Sequence, residues 1–140
     1  MTAFYQPRAT GANKDPERHY DGRFTVTQMP ADGSCLFHSL AHELGRLGHV
    51  VTAHDLREEI ATFIASNPNF LISDMSLEAW VPLNFDGCPT VEDYVARLRN
   101  TNFWGGALEI TCCSHIYNHA INVFEPHVTG GIHRMTQVNM

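Results

Sequence analysis

The chain reads as an α+β domain, with helices packed on a small β-sheet, and three observations predict it. An alternating, β-branched segment, Phe24-Thr-Val-Thr-Gln-Met29, comes early. Apolar residues then recur at helical spacing in separate stretches, and a short apolar, β-branched run returns at Ala120-Ile-Asn-Val-Phe124. Period two, then three to four, then two again is the pattern of strand, helices, strand.

Residues 1–22 are polar and interrupted by Gly11, Asn13, Asp15-Pro16 and Asp21-Gly22, so a flexible N-terminal arm is expected there. Pro30-Ala-Asp-Gly33 is a turn after the first strand. Leu36, Leu40, Leu44 and Leu47, with Phe37 and Ala41 one position over, predict a helix from near Cys35 to Gly45 or Gly48. Thr52-Ala-His-Asp55 has the capping pattern that opens a second helix, with Leu56, Ile60, Phe63 and Ile64 inward and Asn67-Pro68 at its end.

Residues 69–89 carry a weaker pattern: a helical turn at Ser76–Trp80 and a loop at Asp86-Gly87-Cys88-Pro89. A second capping pattern at Thr90–Asp93 starts a helix that buries Val91, Tyr94, Val95 and Leu98. After Trp104-Gly105-Gly106 the chain is helical again to about Tyr117. Gly130-Gly131 marks a turn before a further strand at Ile132–Val138.

The 140 residues suit one domain, and 44% hydrophobic with 17% charged residues supports a folded chain. Net charge is −6 and no run of Lys or Arg stands out, which argues against a nucleic-acid partner. No apolar stretch approaches the ~18 residues of a membrane span, and the first residues do not form a secretory apolar region. Cys35, Cys88, Cys112 and Cys113 lack the spacing of a disulfide framework. The expectation is an intracellular protein, cytoplasmic or nuclear, with reduced thiols.

Chemistry concentrates at Asp32-Gly-Ser-Cys35, where a cysteine begins a helix. A thiol attacks as its thiolate, and the unpaired N–H groups and positive dipole end of a helix favour an anion there. The same donors can hold an oxygen that turns negative when a carbonyl is attacked. Gly33 permits the tight turn that leads into the cysteine. The alternative for any such residue is a small buried hydrophobe.

Asp32-Gly-Ser-Cys-Leu-Phe-His-Ser-Leu40 resembles the nucleophile motif of the ovarian tumour (OTU) family of cysteine proteases. Trp104-Gly-Gly-Ala-Leu-Glu-Ile110 and Ile121-Asn-Val-Phe124 resemble that family's later block and the strand after it, in the right order. The resemblance covers about residues 24–125 and implies a papain-like OTU fold over 23–140, incomplete at its C-terminus. It implies a thiol-dependent deubiquitinase, a hydrolase acting on ubiquitin or ubiquitin-like conjugates. Cys35 is then the nucleophile, and Asp32 holds the turn and shapes the oxyanion site beside the Cys35 N–H. Trp104, Glu109 and Ile110 are expected to serve packing, a helix terminus and the core, and His38 to be scaffold.

A cysteine nucleophile needs an imidazole base. The family places it after the last core strands, followed by an aromatic and then Asp or Asn. After Phe124 the chain has only His127 and His133, and neither is followed by that pattern. His133 is a weak substitute by geometry. This chain is therefore expected to be weak or inactive alone, with a non-catalytic ubiquitin-binding module as the alternative.

No cofactor or metal is expected. His42 and His49 are seven apart, unlike the i, i+4 pair of a zincin helix. Cys112, His115 and His119 have ligand-like spacing, but Ile116 and Tyr117 point to a packed face. The adjacent Cys112 and Cys113 read as buried thiols, since a vicinal disulfide is strained.

Overall fold

The computed structural model describes residues 2–4, 17–20, 24–84, 88–126 and 132–138. Its largest sheet has three strands in the order β1-β6-β7. Strand β1 (Thr2–Phe4) runs parallel to β6 (Ile121–Pro126), which pairs antiparallel with β7 (Ile132–Val138). Register slips between Val123 and Phe124, where β7 carries the extra residue of a bulge, Met135. A separate hairpin joins β2 (Glu17–Tyr20) to β3 (Phe24–Thr27).

The arm expected over 1–22 thus contains two strands. Thr2–Phe4 finds its partner at Asn122–Phe124, a pairing that local pattern cannot reveal. The turn expected at Gly130-Gly131 and the Asp86-Gly87 part of the expected loop lie outside the described residues.

Helices α1 (Cys35–Arg46), α2 (Ala53–Ser66), α4 (Val91–Leu98) and α5 (Ala107–Tyr117) supply most of the core. Phe37, Leu40 and Leu44 of α1 meet Leu56, Ile60 and Ile64 of α2 in one buried cluster. Tyr94, Val95 and Leu98 of α4, Leu108 and Cys112 of α5, and Ile121 of β6 join it. Each large aliphatic side chain so buried contributes about 1.5–3 kcal/mol of transfer free energy.

The caps follow their sequences. The Thr52 hydroxyl accepts the Asp55 N–H at 3.0 Å, and the Thr90 hydroxyl accepts the Asp93 N–H at 3.2 Å. Residues 69–84 form a miniature hairpin, β4 (Leu71–Ile72) with β5 (Met75–Ser76), and then α3 (Leu77–Asn84). Ser73 and Asp74 turn it with φ of 49° and 66°, the left-handed pair that a two-residue hairpin loop needs. The Trp80 indole N–H donates to the Ile72 carbonyl at 2.8 Å, pinning α3 to that hairpin.

Candidate active site

Cys35 is the first residue of α1 and is half-buried. The other thiols, Cys88, Cys112 and Cys113, are buried. Burial pushes Cys112 and Cys113 up to about 12, so both stay protonated at neutral pH. Accessibility therefore singles out Cys35 among the four.

Ser34 stands at the N-cap, yet its hydroxyl does not cap the helix. It accepts instead from Nη2 of Arg57 at 3.0 Å. The first-turn N–H groups of α1 are left without that side-chain partner, which is where a helix favours an anion. Asp32 shapes the approach. Its Oδ1 accepts the Ser34 N–H at 2.8 Å, an Asx turn, and its Oδ2 lies 3.6 Å from Nε2 of His38. The Asp32 carbonyl accepts the Cys35 N–H at 3.2 Å, so that donor is engaged in this structure.

Arg57, buried on α2, is the residue that the sequence reading misses. Its Nη1 donates to the carbonyls of Leu98 at 2.8 Å, Asn100 at 3.1 Å and Phe103 at 2.9 Å. Its Nη2 donates to the carbonyls of Gly33 at 2.9 Å and Thr101 at 3.4 Å as well as to Ser34. The guanidinium carbon sits 4.3 Å from the centre of the Phe37 ring. Burial pulls the Arg57 pKa down, and the charges of Glu109 and Asp32 oppose that pull. One side chain thereby ties the nucleophile turn to the end of α4 and the loop after it. The signal for it was present: Arg57, Ile60, Ala61 and Ile64 share one helical face.

Gly33 closes the same junction. A Cβ there would lie 2.2 Å from the Thr101 carbonyl oxygen and 2.9 Å from Cα of Asn102. Both neighbours are backbone and cannot swing aside. Gly33→Ala is expected to destabilise the fold by about 1–3 kcal/mol through overpacking. A denaturant midpoint unchanged from wild type would show that the two loops are free to separate.

Gly105 sits flush on α1, where a Cβ would meet Cδ2 of Leu36 at 2.7 Å and the Phe37 ring at 3.1 Å. Trp104, just before it, is 58% exposed. The expected packing role for Trp104 is thus corrected: the close seat belongs to Gly105, and the indole stands at the surface beside the first turn of α1. Glu109 is fully buried. Its Oε2 accepts the Gly106 N–H at 2.7 Å at the start of α5, and its Oε1 accepts the Tyr94 hydroxyl. Burial raises the pKa of both Glu109 and Tyr94.

Of the histidines after Phe124, His133 occupies β7 opposite Glu125, and His127 lies outside the described residues. The ligand-like trio is dispersed. Cys112 is in the core, the His115 ring lies 4.6 Å from that of Phe70, and His119 lies beyond the end of α5.

A half-exposed thiol at a helix start, reached through a tight Asp-Gly-Ser turn and set on an α+β scaffold, marks the thiol-protease class of folds. The chain belongs to the family described as OTU-like cysteine protease, whose model matches residues 30–139. It is 35% identical over 102 residues to ubiquitin thioesterase OTU1 of Mus musculus, covering 72% of this chain and 26% of that protein. It is 27% identical over 104 residues to deubiquitinase OTUD6B of Xenopus laevis, covering 71% of this chain and 33% of that protein. The chain thus spans a third or less of these curated relatives. Among solved structures it is similar to the viral OTU domain protease from Dera Ghazi Khan virus, with TM-score 0.61 and 24% identity over 81% of this chain and 65% of that one. It is also similar to an OTU deubiquitinase from Wolbachia pipientis wMel bound to ubiquitin, with TM-score 0.60 and 24% identity over 80% of this chain and 71% of that one. These likenesses establish the fold. Among the described residues no helix is long and apolar enough to cross a membrane.

Proposed function

We propose that the chain carries the nucleophile half of a cysteine-type deubiquitinase that acts on ubiquitin or ubiquitin-like conjugates. The observation that carries this reading is Cys35: the accessible thiol at an N-terminus whose capping hydroxyl is held away by Arg57. The curated relatives named as deubiquitinase and ubiquitin thioesterase support the substrate class.

In the proposed reaction, Sγ of Cys35 attacks the carbonyl carbon of the modifier's C-terminal glycine. The carbonyl oxygen becomes negative and is held at the first turn of α1, which requires the Cys35 N–H to leave the Asp32 carbonyl. The C–N bond then breaks, the amine departs with a proton, and water hydrolyses the thioester. Asp32 is proposed to hold the turn in which this exchange occurs. The thiol proton needs an imidazole acceptor. The family's histidine pattern is not found within these 140 residues. Slow or absent turnover by this chain alone is expected, with substrate binding retained.

Trp104 is the natural wall for a peptide tail, being exposed next to a glycine seated on Leu36 and Phe37. Titrating isotope-labelled ubiquitin with this chain should shift the signals of its C-terminal tail saturably. Trp104→Ala should weaken that binding by about tenfold, the effect of removing an aromatic anchor, while leaving the melting temperature in place. Tail signals that do not respond would contradict the reading. Saturable binding without any covalent chemistry at Cys35 would favour a non-catalytic module on the same fold.

A further inference from the structure

Away from Cys35, at the opposite end of α1, two histidines distant in sequence meet. Nε2 of His49 and Nε2 of His119 are 3.2 Å apart, and both residues are half-buried. Each follows a helix C-terminus closed in the same way. After α1, Gly48 takes φ +94° and the His49 N–H returns to the Leu44 carbonyl at 2.9 Å. After α5, Asn118 takes φ +54° and the His119 N–H returns to the Ser114 carbonyl at 3.2 Å. These are paired Schellman closures, and they deliver an imidazole to the end of each helix. The Ser114 hydroxyl donates to the His119 carbonyl at 2.7 Å and fixes that residue further. The His49 ring meets the Tyr117 ring edge-on, with centroids 5.1 Å apart. The Tyr117 hydroxyl in turn donates to Oε2 of Glu59 at 2.9 Å.

Two negative helix-dipole ends meet at the two imidazoles, an arrangement that suits a cation. The spacing is also close to that of ligands, although the rings, with centroids 5.4 Å apart, point nearly at each other and must both tilt to face a shared ion. With metal–nitrogen distances of about 2.0–2.1 Å, two tetrahedral imidazole ligands lie about 3.3–3.4 Å apart. We propose that His49 and His119 form a two-imidazole site for a late first-row divalent cation such as Zn²⁺ or Ni²⁺, with water completing the coordination sphere. Imidazole is the ligand type those ions favour. In the metal-free pair one ring donates its Nε2 proton to the other. On binding, that ring carries its proton on Nδ1 instead, so both Nε2 lone pairs face the ion and no net proton is lost from two neutral rings. The ion would then clasp the C-terminal ends of α1 and α5. The site is independent of the proposed hydrolase reading, since none of its residues belongs to the nucleophile turn.

The test is calorimetric titration of the untagged chain with Zn²⁺ and with Ni²⁺ at pH 7.5, repeated in Cys35→Ser to remove the accessible thiol. One saturable ion per chain is expected in both, accompanied by a rise in melting temperature. His49→Gln and His119→Gln should each abolish that binding, whereas His115→Gln should leave it unchanged. In the wild-type chain, ring signals of His49 and His119 should shift together on Zn²⁺ addition while those of His54 stay in place, a readout that does not depend on any variant folding. Absence of saturable binding, or binding that survives both substitutions, or shifts confined to other histidines, would overturn the site.

Discussion

Replacing Arg57 with alanine is expected to cost the domain about 3–5 kcal/mol, the range found when one partner of a buried charged network is removed. The guanidinium satisfies the carbonyls of Gly33, Leu98, Asn100, Thr101 and Phe103 together with the Ser34 hydroxyl. Without it the Gly33, Leu98 and Thr101 carbonyls lose a donor beneath α2, while the Asn100 carbonyl keeps the Phe103 N–H at 3.0 Å; each buried group left unsatisfied costs about 1–3 kcal/mol unless water reaches it. Lysine does not restore the arrangement, because a single ammonium cannot span two loops as a planar fork does. Arg57→Lys is therefore expected to recover less than half of the loss in a urea or guanidinium unfolding series. The same substitutions free the Ser34 hydroxyl to cap α1 and loosen the turn before Cys35, so the alkylation rate of Cys35 should change alongside stability. An Arg57→Ala chain as stable as wild type, with unaltered Cys35 reactivity, would remove Arg57 from the account.

The second large effect lies in the Glu109–Tyr94–Gly106 cluster. Glu109→Ala strands the Tyr94 hydroxyl and the Gly106 N–H and opens a cavity, an expected loss of about 2–4 kcal/mol. Glu109→Gln keeps the shape, can accept from Gly106 and can donate to the Tyr94 oxygen, so it should be far milder. The two variants also differ in pH dependence. Burial raises the Glu109 pKa above its ordinary 4.5, so the folded state holds this proton more tightly than the unfolded state does. The stabilising contribution is fully present below 4.5 and is lost as pH rises through the folded-state value. Wild-type stability should therefore decline across that window relative to Glu109→Gln, measured as the difference between their unfolding midpoints from pH 4 upward. Parallel curves would show that Glu109 does not titrate with folding.

Where apolar spacing ran for two turns or more, the fold was legible in the sequence. The stripe from Leu36 to Leu44 became α1, Leu56 to Ile64 became α2, and Val91 to Leu98 became α4. Ile132–Val138, expected as a further strand or hairpin arm, is β7 over the same span. Failures have physical causes. Strands β4 and β5 are two residues each, too short for any period, and their turn places Ser73 and Asp74 in a left-handed conformation without a glycine to announce it. Strand β1 depends on a parallel partner more than a hundred residues away, between Thr2 and Asn122.

At the site, the nucleophile turn was visible because its residues are contiguous. The clamp was legible only in part: Arg57 falls on the buried face of α2, but it acts through carbonyls, and carbonyls carry no residue identity. Trp104, for which the family resemblance implies packing, stands exposed, because the missing side chain of Gly105 is what makes the close contact. The meeting of His49 with His119 joins two helix ends and cannot be read from either alone.

The central claim is that Cys35 is held at the head of α1 as an accessible nucleophile for a ubiquitin tail. Incubating the purified chain with ubiquitin bearing an electrophile in place of its C-terminal carboxylate, followed by intact-mass and peptide analysis, tests it most directly. A single adduct at Cys35, absent in Cys35→Ala and unaffected by blocking His127 and His133 together as glutamines, is the expected result. No adduct, or one distributed over Cys88, Cys112 or Cys113, would contradict it.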